Sequence, residues 1–464
     1  MTIKTCFGWV LGIWLTLSTA AAQQAQQSQF QGSVPVGTAT STPVPLRLQD
    51  AIARALRANL GLLVSDSASE SARGQRVRAL SVLLPQFRAE VGGHVEQIDL
   101  ASFGFNFHFP GVSIPTVVGP FHYTDARAYG QWSAFDYNAR KNYRSSQQSE
   151  RAAQLSVQDA RDLVVQATAN AYFLIIADAS SVETIQSQVE TAQVLYDRAQ
   201  DQQRAGTAAG IDVLRAQVEL KQQQERLLAQ TNQFEKDKLT LGRIIGLPPG
   251  QNLTIAEATP FAPLTSITQG QALEAALSRR PDYQSYKAQV RAAEDALKAA
   301  HGQRYPTAQV TADYGDIGTS PANSHGTFTF VASASVNLFD GGRITGDVIQ
   351  AKAALKQRQD ELADLGAQID YEVRTAFLDL RTAADQVAVA RDNLDLSNQT
   401  LVQARDRFTA GVTDNIEVVQ AQDSVASANN TLISALYAHN LAKAELARAL
   451  GGAEGELQKF MEAK

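Results

Sequence analysis

The 464-residue chain has one cysteine, no surplus of basic residues and no long apolar run beyond its first two dozen positions. Each shortage removes a class of protein. With 41 Lys and Arg against 47 Asp and Glu, the formal net charge is −6. That leaves no basic excess of the kind nucleic-acid binding needs. Residues 1–22 read as a secretory signal: Lys4 opens it, Phe7–Leu17 is its apolar core, and Ala20-Ala21-Ala22 is a small-residue cleavage site. As a membrane anchor the run is too short. The lone Cys6 lies inside this segment, so the cleaved chain is expected to hold no disulfide, no thiolate metal site and no cysteine nucleophile. Further on, no run approaches the ~20 apolar residues of a membrane helix, so any passage through lipid must be made by β-strands.

Catalytic patterns are also missing. The six histidines (His94, His108, His122, His301, His325, His439) show no ligand spacing. Gly92-Gly93 and Gly341-Gly342 make no phosphate loop, and no G-x-S-x-G occurs. The expectation is a protein that is not an enzyme, with no cofactor and no metal. A hydrophobic content of 44% with 19% charged residues fits a folded chain.

What is present is a tandem duplication. LQDAIARALRANL (Leu48–Leu60) matches TQGQALEAALSRR (Thr268–Arg280), and a shift of 221 carries Pro85 onto Pro306. Phe135-Asp136 returns as Phe339-Asp340 at a shift of 204. AGTAAGIDVLRAQ (Ala205–Gln217) returns as AGVTDNIEVVQAQ (Ala410–Gln422) at 205, and LGRIIG (Leu241–Gly246) as LARALG (Leu446–Gly451) at the same shift. Four landmarks in one order exclude coincidence. The predicted plan is a signal peptide 1–22, a flexible Gln/Ser/Thr/Pro-rich leader 23–45, a first repeat 46–250, a linker 251–267, a second repeat 268–451 and a polar tail 452–464. Each repeat reads as a helix of roughly forty residues, a strand pair, a long helix (about Asn138–Arg204; about Gly342–Thr409), a tight turn and a last helix of about thirty-five residues.

The long helices carry heptads. Val373, Leu380, Val387, Leu394, Leu401 and Phe408 form one row, and Ala376, Ala383, Ala390, Ser397 and Ala404 its companion. The first repeat shows Ile175, Val182, Val189 and Tyr196 beside Ile185, Ala192 and Ala199. Such a seam buries itself against another helix. An ordinary bundle explains the period but not the length, since about 67 residues at ~1.5 Å each make ~100 Å. In TFTFVASASVNLF (Thr327–Phe339), Phe328, Phe330, Ala332, Ala334, Val336 and Leu338 alternate with polar residues, and Phe103, Phe105, Phe107 and Phe109 line one face of FGFNFHF. This suits transmembrane strands, and equally one face of a soluble sandwich. Four strands cannot close a barrel, and lipid does not tolerate an open edge. Several copies must therefore pool strands, and three copies give twelve. The bend Asp340-Gly341-Gly342, matched by Asp136-Tyr137-Asn138, then marks the passage from barrel to helix.

Tandem halves, strand pairs ending in LFDGGR, helices of this length and the AGVTDNIEVVQAQ turn together resemble the TolC-type outer-membrane efflux proteins, over about Leu46 to Gly451. The resemblance implies a mainly helical fold with a transmembrane β part: long helical hairpins in a periplasmic α-barrel, and a homotrimer sharing a 12-stranded barrel in the outer membrane of a Gram-negative-type cell. It implies a passive exit duct of a tripartite efflux or type I secretion system, with outer-membrane lipid, a periplasmic adaptor and an inner-membrane transporter as partners. Nucleic acid is not among them. The helix turns become the periplasmic mouth, where Ala205, Gly206, Thr207, Ala410, Gly411 and Val412 are the expected adaptor contacts. Glu417 and Asp212 are candidates for an acidic, cation-attracting ring, against the plainer reading that each acid favours a helix N-terminus. Departures from the family pattern are Gln420 at a second acidic position, and Phe408 and Thr413 where relatives carry a Tyr–Arg latch; Phe408 is expected to close the mouth by apolar packing and Asp414 to supply charge. Phe135, Asp136, Phe339, Asp340, Gly341 and Gly342 are the expected barrel-to-helix junction. Two other classes stand beside this: a poreless, trimeric adhesin-like coiled-coil protein, against which the duplicated strand–helix junction argues, and a periplasmic adaptor, which the paired strands do not suit.

Overall fold

The computed structural model describes residues 30–104, 115–207, 209–256, 268–410, 412–413 and 415–462. The signal segment, Phe105, Phe107, Phe109, Gly411 and Asp414 lie outside the described residues. Two compact units are present. One comprises residues to Ser69, Ala153–Ser285 and from Leu362; the other comprises Glu70–Ala152 and Tyr286–Glu361. Each unit takes segments from both repeats, so the tandem halves are not the compact units.

The second unit is built on a four-stranded antiparallel sheet, β2 (Gln86–Asp99), β3 (Val117–Phe135), β5 (Thr307–Gly318) and β6 (Ser324–Ser335), in that order. The β3–β5 pairing joins the two repeats. Residues opposite one another in register share a face. Phe87 faces Gly130, Gly130 faces Ala312 and Ala312 faces Phe330. The same face carries Val91, Val95, Ala128, Trp132, Val310, Tyr314 and Phe328. The opposite face carries Arg88, Glu90, Glu96, Asp125, Arg127, Asp313, Thr327 and Thr329. Exceptions include His122, Thr124 and Asp316 on the apolar face and Phe121, Ile317 and Val331 on the polar one. Phe87 and Val91 are each 83% exposed and Phe328 78%, so the apolar face lies bare within the chain. Among the described residues, strands β2 and β6 each have one neighbour.

Three strand expectations need correction. Phe103 closes a short 3-10 helix (Leu100–Phe103), stopped by Gly104 in the left-handed region at φ 82°. Strand β3 begins at Val117, inside the Pro/Gly-rich stretch Pro110–Pro120 that reads as a loop from its sequence. Strand β6 ends at Ser335, so Val336, Leu338 and Phe339 lie beyond it.

The first unit holds the main core. The helix α3 (Tyr137–Arg204) contributes Val164, Ala169, Tyr172, Phe173 and Ile175. They meet residues of α4 (Gly210–Ile244), α7 (Arg343–Thr409) and α8 (Asn415–Leu450). One 18-residue window of α3 is apolar enough to cross a membrane, a correction to the expectation that no such run follows the signal. It coincides with this core, where each buried large side chain contributes about 1.5–3 kcal/mol. Both heptad rows face inward: Val373 and Val387 are fully buried, and Ala376, Ala383, Ala390 and Ala404 nearly so. Small side chains in one row let the helix backbones approach.

Each forty-residue helix is two. The first breaks at Asn59 between α1 (Leu48–Ala58) and α2 (Leu60–Ser81); the second breaks at Arg280 between α5 (Gln269–Arg279) and α6 (Pro281–Gly302). Asn59 (ψ 129°) and Arg280 (ψ 122°) both leave the helical region. Pro281 forces this at Arg280, because its ring disfavours helical ψ in the residue before it. At Asn59 the buried side chain supplies the reason: Nδ2 donates to the Phe30 carbonyl at 2.7 Å and Oδ1 accepts from the Gly61 amide at 2.9 Å.

The chain ends differ from the sequence reading too. Residues 30–45 of the expected flexible leader are tied down: Val34 N–H donates to Ala58 O, Val36 N–H to Gly246 O, and β1 (Val44–Leu46) pairs in parallel with β4 (Leu253–Ile255). The expected polar tail is an amphipathic helix, α9 (Ala453–Glu462), that buries Ala453, Leu457 and Phe460. Asp162 accepts from the Gly452 and Ala453 amides at 3.0 and 2.9 Å, which caps its start.

Candidate functional site

The helix turns come from a shared backbone solution. After α3, Thr207 N–H donates to Gln202 O and Gly206 N–H to Gln203 O. Gly206 is left-handed at φ 73°. This is the Schellman arrangement, which needs a residue without Cβ at that point. After α7 the equivalent bond runs from Val412 N–H to Arg407 O. Ala205, Thr207, Ala410 and Val412 are exposed, so these turns offer surface.

Past the turns the two acids stand differently. Asp212, in the first turn of α4, lies 3.5 Å from Arg215 on the same helix. Glu417, in the first turn of α8, accepts from the Thr413 hydroxyl and lies 3.5 Å from Arg407 Nε. Thr413 thus acts as a local partner of Glu417. Arg407 sits on α7, across the turn. Sequence reasoning missed it, although the ten-residue spacing across a hairpin was the available signal. Exposed pairs of this kind contribute ~0.2–1 kcal/mol and offset part of the acid's charge. Phe408 is engaged inside the chain: its ring packs with Leu401, Ala404, Val418 and Ala421, and the Arg198 guanidinium lies 5.2 Å above it. Gln420 lines a groove of about 490 Å³ between α4 and α8, together with Ile211, Leu214, Val218, Ile416 and Val419. Its apolar wall is exposed, Leu214 at 57% and Val218 at 56%.

The strand-to-helix passages are capped by aspartate. Asp340 accepts from Gly342 N–H at 3.0 Å and Ile344 N–H at 2.8 Å. These amides hold its carboxyl below the usual carboxylate range. Gly341 and Gly342 have φ of 64° and 92°, which side chains rarely adopt. Asp136 accepts from Ala139 N–H at 2.8 Å, and no glycine intervenes. Phe135 ends β3, and Phe339 is 91% exposed. On the polar sheet face, Arg127 binds Asp313, Asp125 and the Thr327 hydroxyl. This network bridges β3, β5 and β6. The sequence held no signal for it, because Asp313 and Thr327 lie 186 and 200 residues from Arg127 and meet it only through register.

Among the described residues no group of three or more His, Cys, Asp or Glu is arranged to hold a metal ion. The arrangement is one of paired charges, capped helix ends and exposed apolar faces.

Comparison with known proteins gives the same picture. The family described as "Outer membrane efflux protein" matches residues 51–247 and 272–452. The toluene efflux pump outer membrane protein TtgC of Pseudomonas putida is 24% identical over 341 residues, 70% of this chain and 66% of that protein. Outer membrane protein OprJ of Pseudomonas aeruginosa is 30% identical over 280 residues, 54% of each. The match thus spans just under two thirds of TtgC. Among solved structures, the outer membrane protein VceC of Vibrio cholerae superposes with a TM-score of 0.75 at 18% identity, covering 87% of this chain and 96% of that one. The CmeC outer membrane channel of Campylobacter jejuni gives 0.77 at 16% identity, covering 94% and 95%. At these identities the likeness is one of fold.

Proposed function

Because the chain belongs to the outer membrane efflux protein family, and so to the outer membrane, we propose that it is the exit duct of a tripartite efflux or secretion machine. Three copies pool their strands in one twelve-stranded barrel, and their helices form the tube on its periplasmic side. The observation that carries this reading is the four-stranded sheet with one apolar face, one charged face and two unpaired edges. Lipid covers the apolar face, water the charged one, and neighbouring copies pair the edges. Exposed apolar residues on α7, Tyr371 at 69% and Leu378 at 66%, suit packing against another copy.

Cargo moves passively, driven by an inner-membrane transporter through a periplasmic adaptor, so the duct needs no catalytic group. The adaptor contacts the exposed turns at Ala205–Thr207 and Ala410–Val412, and the neighbouring groove at Gln420 gives an apolar seat. Glu417 biases the mouth toward cations, weakened by Arg407, and Asp212 adds less. The reading is tested by electron microscopy of the detergent-extracted protein together with conductance in planar bilayers. The expected result is a hollow three-fold particle that conducts, with cation preference reduced in Glu417→Gln. A solid particle without conductance would overturn it and favour the adhesin-like coiled-coil alternative.

A further inference from the structure

The four long helices of the first unit do not pack completely. A cleft of about 330 Å³ opens among α3, α4, α7 and α8. Its floor contains Gln223, only 3% exposed, whose Nε2 donates to Glu219 at 2.6 Å while its Oε1 has no hydrogen-bond partner. The amides of Gln188 and Gln422, also in the lining, each have a buried Nε2 without a partner. Three orphaned amide atoms around one cleft depart from the rule that buried polar groups are satisfied. The charges are lopsided as well: Glu183, Glu219 and Asp423 face a single guanidinium, Arg405. Arg226 acts on Asp423 from outside the lining. Burial, and next the Glu219 charge, hold the Asp423 carboxyl above the usual carboxylate range.

These features narrow the occupant. Water would satisfy the amides but leave the surplus negative charge. A metal ion finds no converging set of acids. A simple ammonium would answer the carboxylates and the Gln223 oxygen but leave the Gln188 and Gln422 donors unmet. A molecule with both a positive amine and several hydroxyls answers everything, since a hydroxyl both donates and accepts and so suits either end of an amide. The cleft volume lies at the lower end of the ~300–1,000 Å³ of small-molecule sites. We propose that this cleft binds a small polyhydroxylated amine of the amino-sugar class, with its ammonium at Glu219 and Asp423 and its hydroxyls on Gln188, Gln223 and Gln422. A bound ligand touches all four helices and ties the α3–α4 hairpin to the α7–α8 hairpin. The site does not rest on the proposed transport role.

The test is calorimetric titration of the full chain in detergent with D-glucosamine, N-acetyl-D-glucosamine and D-glucose. D-Glucosamine is expected to bind saturably at one site per chain and to raise the thermal unfolding midpoint, with both neutral sugars at least about tenfold weaker. Gln223→Leu should cost glucosamine affinity by about tenfold, because it removes the orphaned acceptor together with the bond that places Glu219. Equal binding of the three sugars, no binding of glucosamine, or a density map in saturating glucosamine with only water in the cleft would each overturn the proposal. If Gln223→Leu does not fold, the three-sugar comparison on the unaltered chain and the Gln422→Leu variant still decide it.

Discussion

Asn59 and Arg280 occupy the same break, 221 residues apart, in the two repeats. Asn59 holds its break with two neutral hydrogen bonds to backbone. Arg280 is 3% exposed and holds its break with ion pairs to Asp282 and Glu372, and Arg448 approaches the same Glu372. Desolvation opposes the guanidinium's charge, but its two carboxylate partners prevail and raise its pKa. The backbone in between is conserved by geometry. Gly246 closes α4 against Ala58, and Gly451 closes α8 against Arg280. Further along α4 and α8 the pattern repeats: Phe234 and Lys238 correspond to His439 and Lys443. Lys238 lies over the Phe234 ring and beside Glu235, whereas Lys443 is fully buried and donates to the Phe460 carbonyl at 2.9 Å. Duplication kept the turns and breaks, and let polar chemistry concentrate around the second repeat's break.

The sharpest way to break this comparison is Arg280→Met against Asn59→Ala. Arg280→Met leaves Asp282 without its paired cation and Glu372 with Arg448 alone, and should cost about 3–5 kcal/mol; Asn59→Ala loses neutral bonds and should cost about 1–3 kcal/mol. Denaturant unfolding of the two variants checks the order, and equal losses would remove the distinction. Next come the glycines. A Cβ on Gly246 would lie 2.4 Å from the Ala58 Cβ at φ 72°, and one on Gly451 would lie 2.9 Å from the Arg280 backbone at φ 80°. Each Gly→Ala combines left-handed strain with overpacking, about 2–4 kcal/mol, and the two thermal midpoints should fall alike.

A pH titration sharpens the contrast at Phe234 and His439. Burial, and next Lys443, lower the His439 pKa from 6.5 to about 4. The unfolded chain therefore takes up this proton first. Stability from this residue is full above pH 6.5 and drains as the pH falls toward 4, by on the order of 2 kcal/mol. His439→Phe, which restores the first repeat's residue, should flatten that part of the stability–pH curve. An unchanged slope would show that other groups dominate. The smallest effect is at the junctions: Asp340→Ala should cost about 1 kcal/mol and Asp136→Ala somewhat less, since Asp340 caps two amides and Asp136 one.

Long-range order was largely legible. The long helices, the strand pairs and the helix turns follow from periodicity and repeated landmarks, and α3 and α7 begin and end within a residue of the reading. The helix breaks were harder. Apolar periodicity runs through Asn59 without interruption, and only Pro281 announced the second break. The ordered leader was hidden because its bonds go to partners such as Gly246 and Asn252, some two hundred residues away. The candidate site divided similarly. The capping aspartates and Gly206 belong to local grammar, whereas Arg407 opposite Glu417 and the Arg127 network depend on a turn or a register. Phe408, a mouth-closing candidate in the sequence, packs inside the chain because the heptad that names it continues to its last residue.

The unpaired edges of β2 and β6 have a genetic consequence. In the proposed trimer every copy must supply sheet to two others, so a chain with a damaged edge is not silently lost. Co-expressed in equal amounts with intact chains, it would leave roughly one in eight assemblies wholly intact. Edge lesions should therefore behave as dominant, and lesions that prevent the chain from folding at all should behave as recessive.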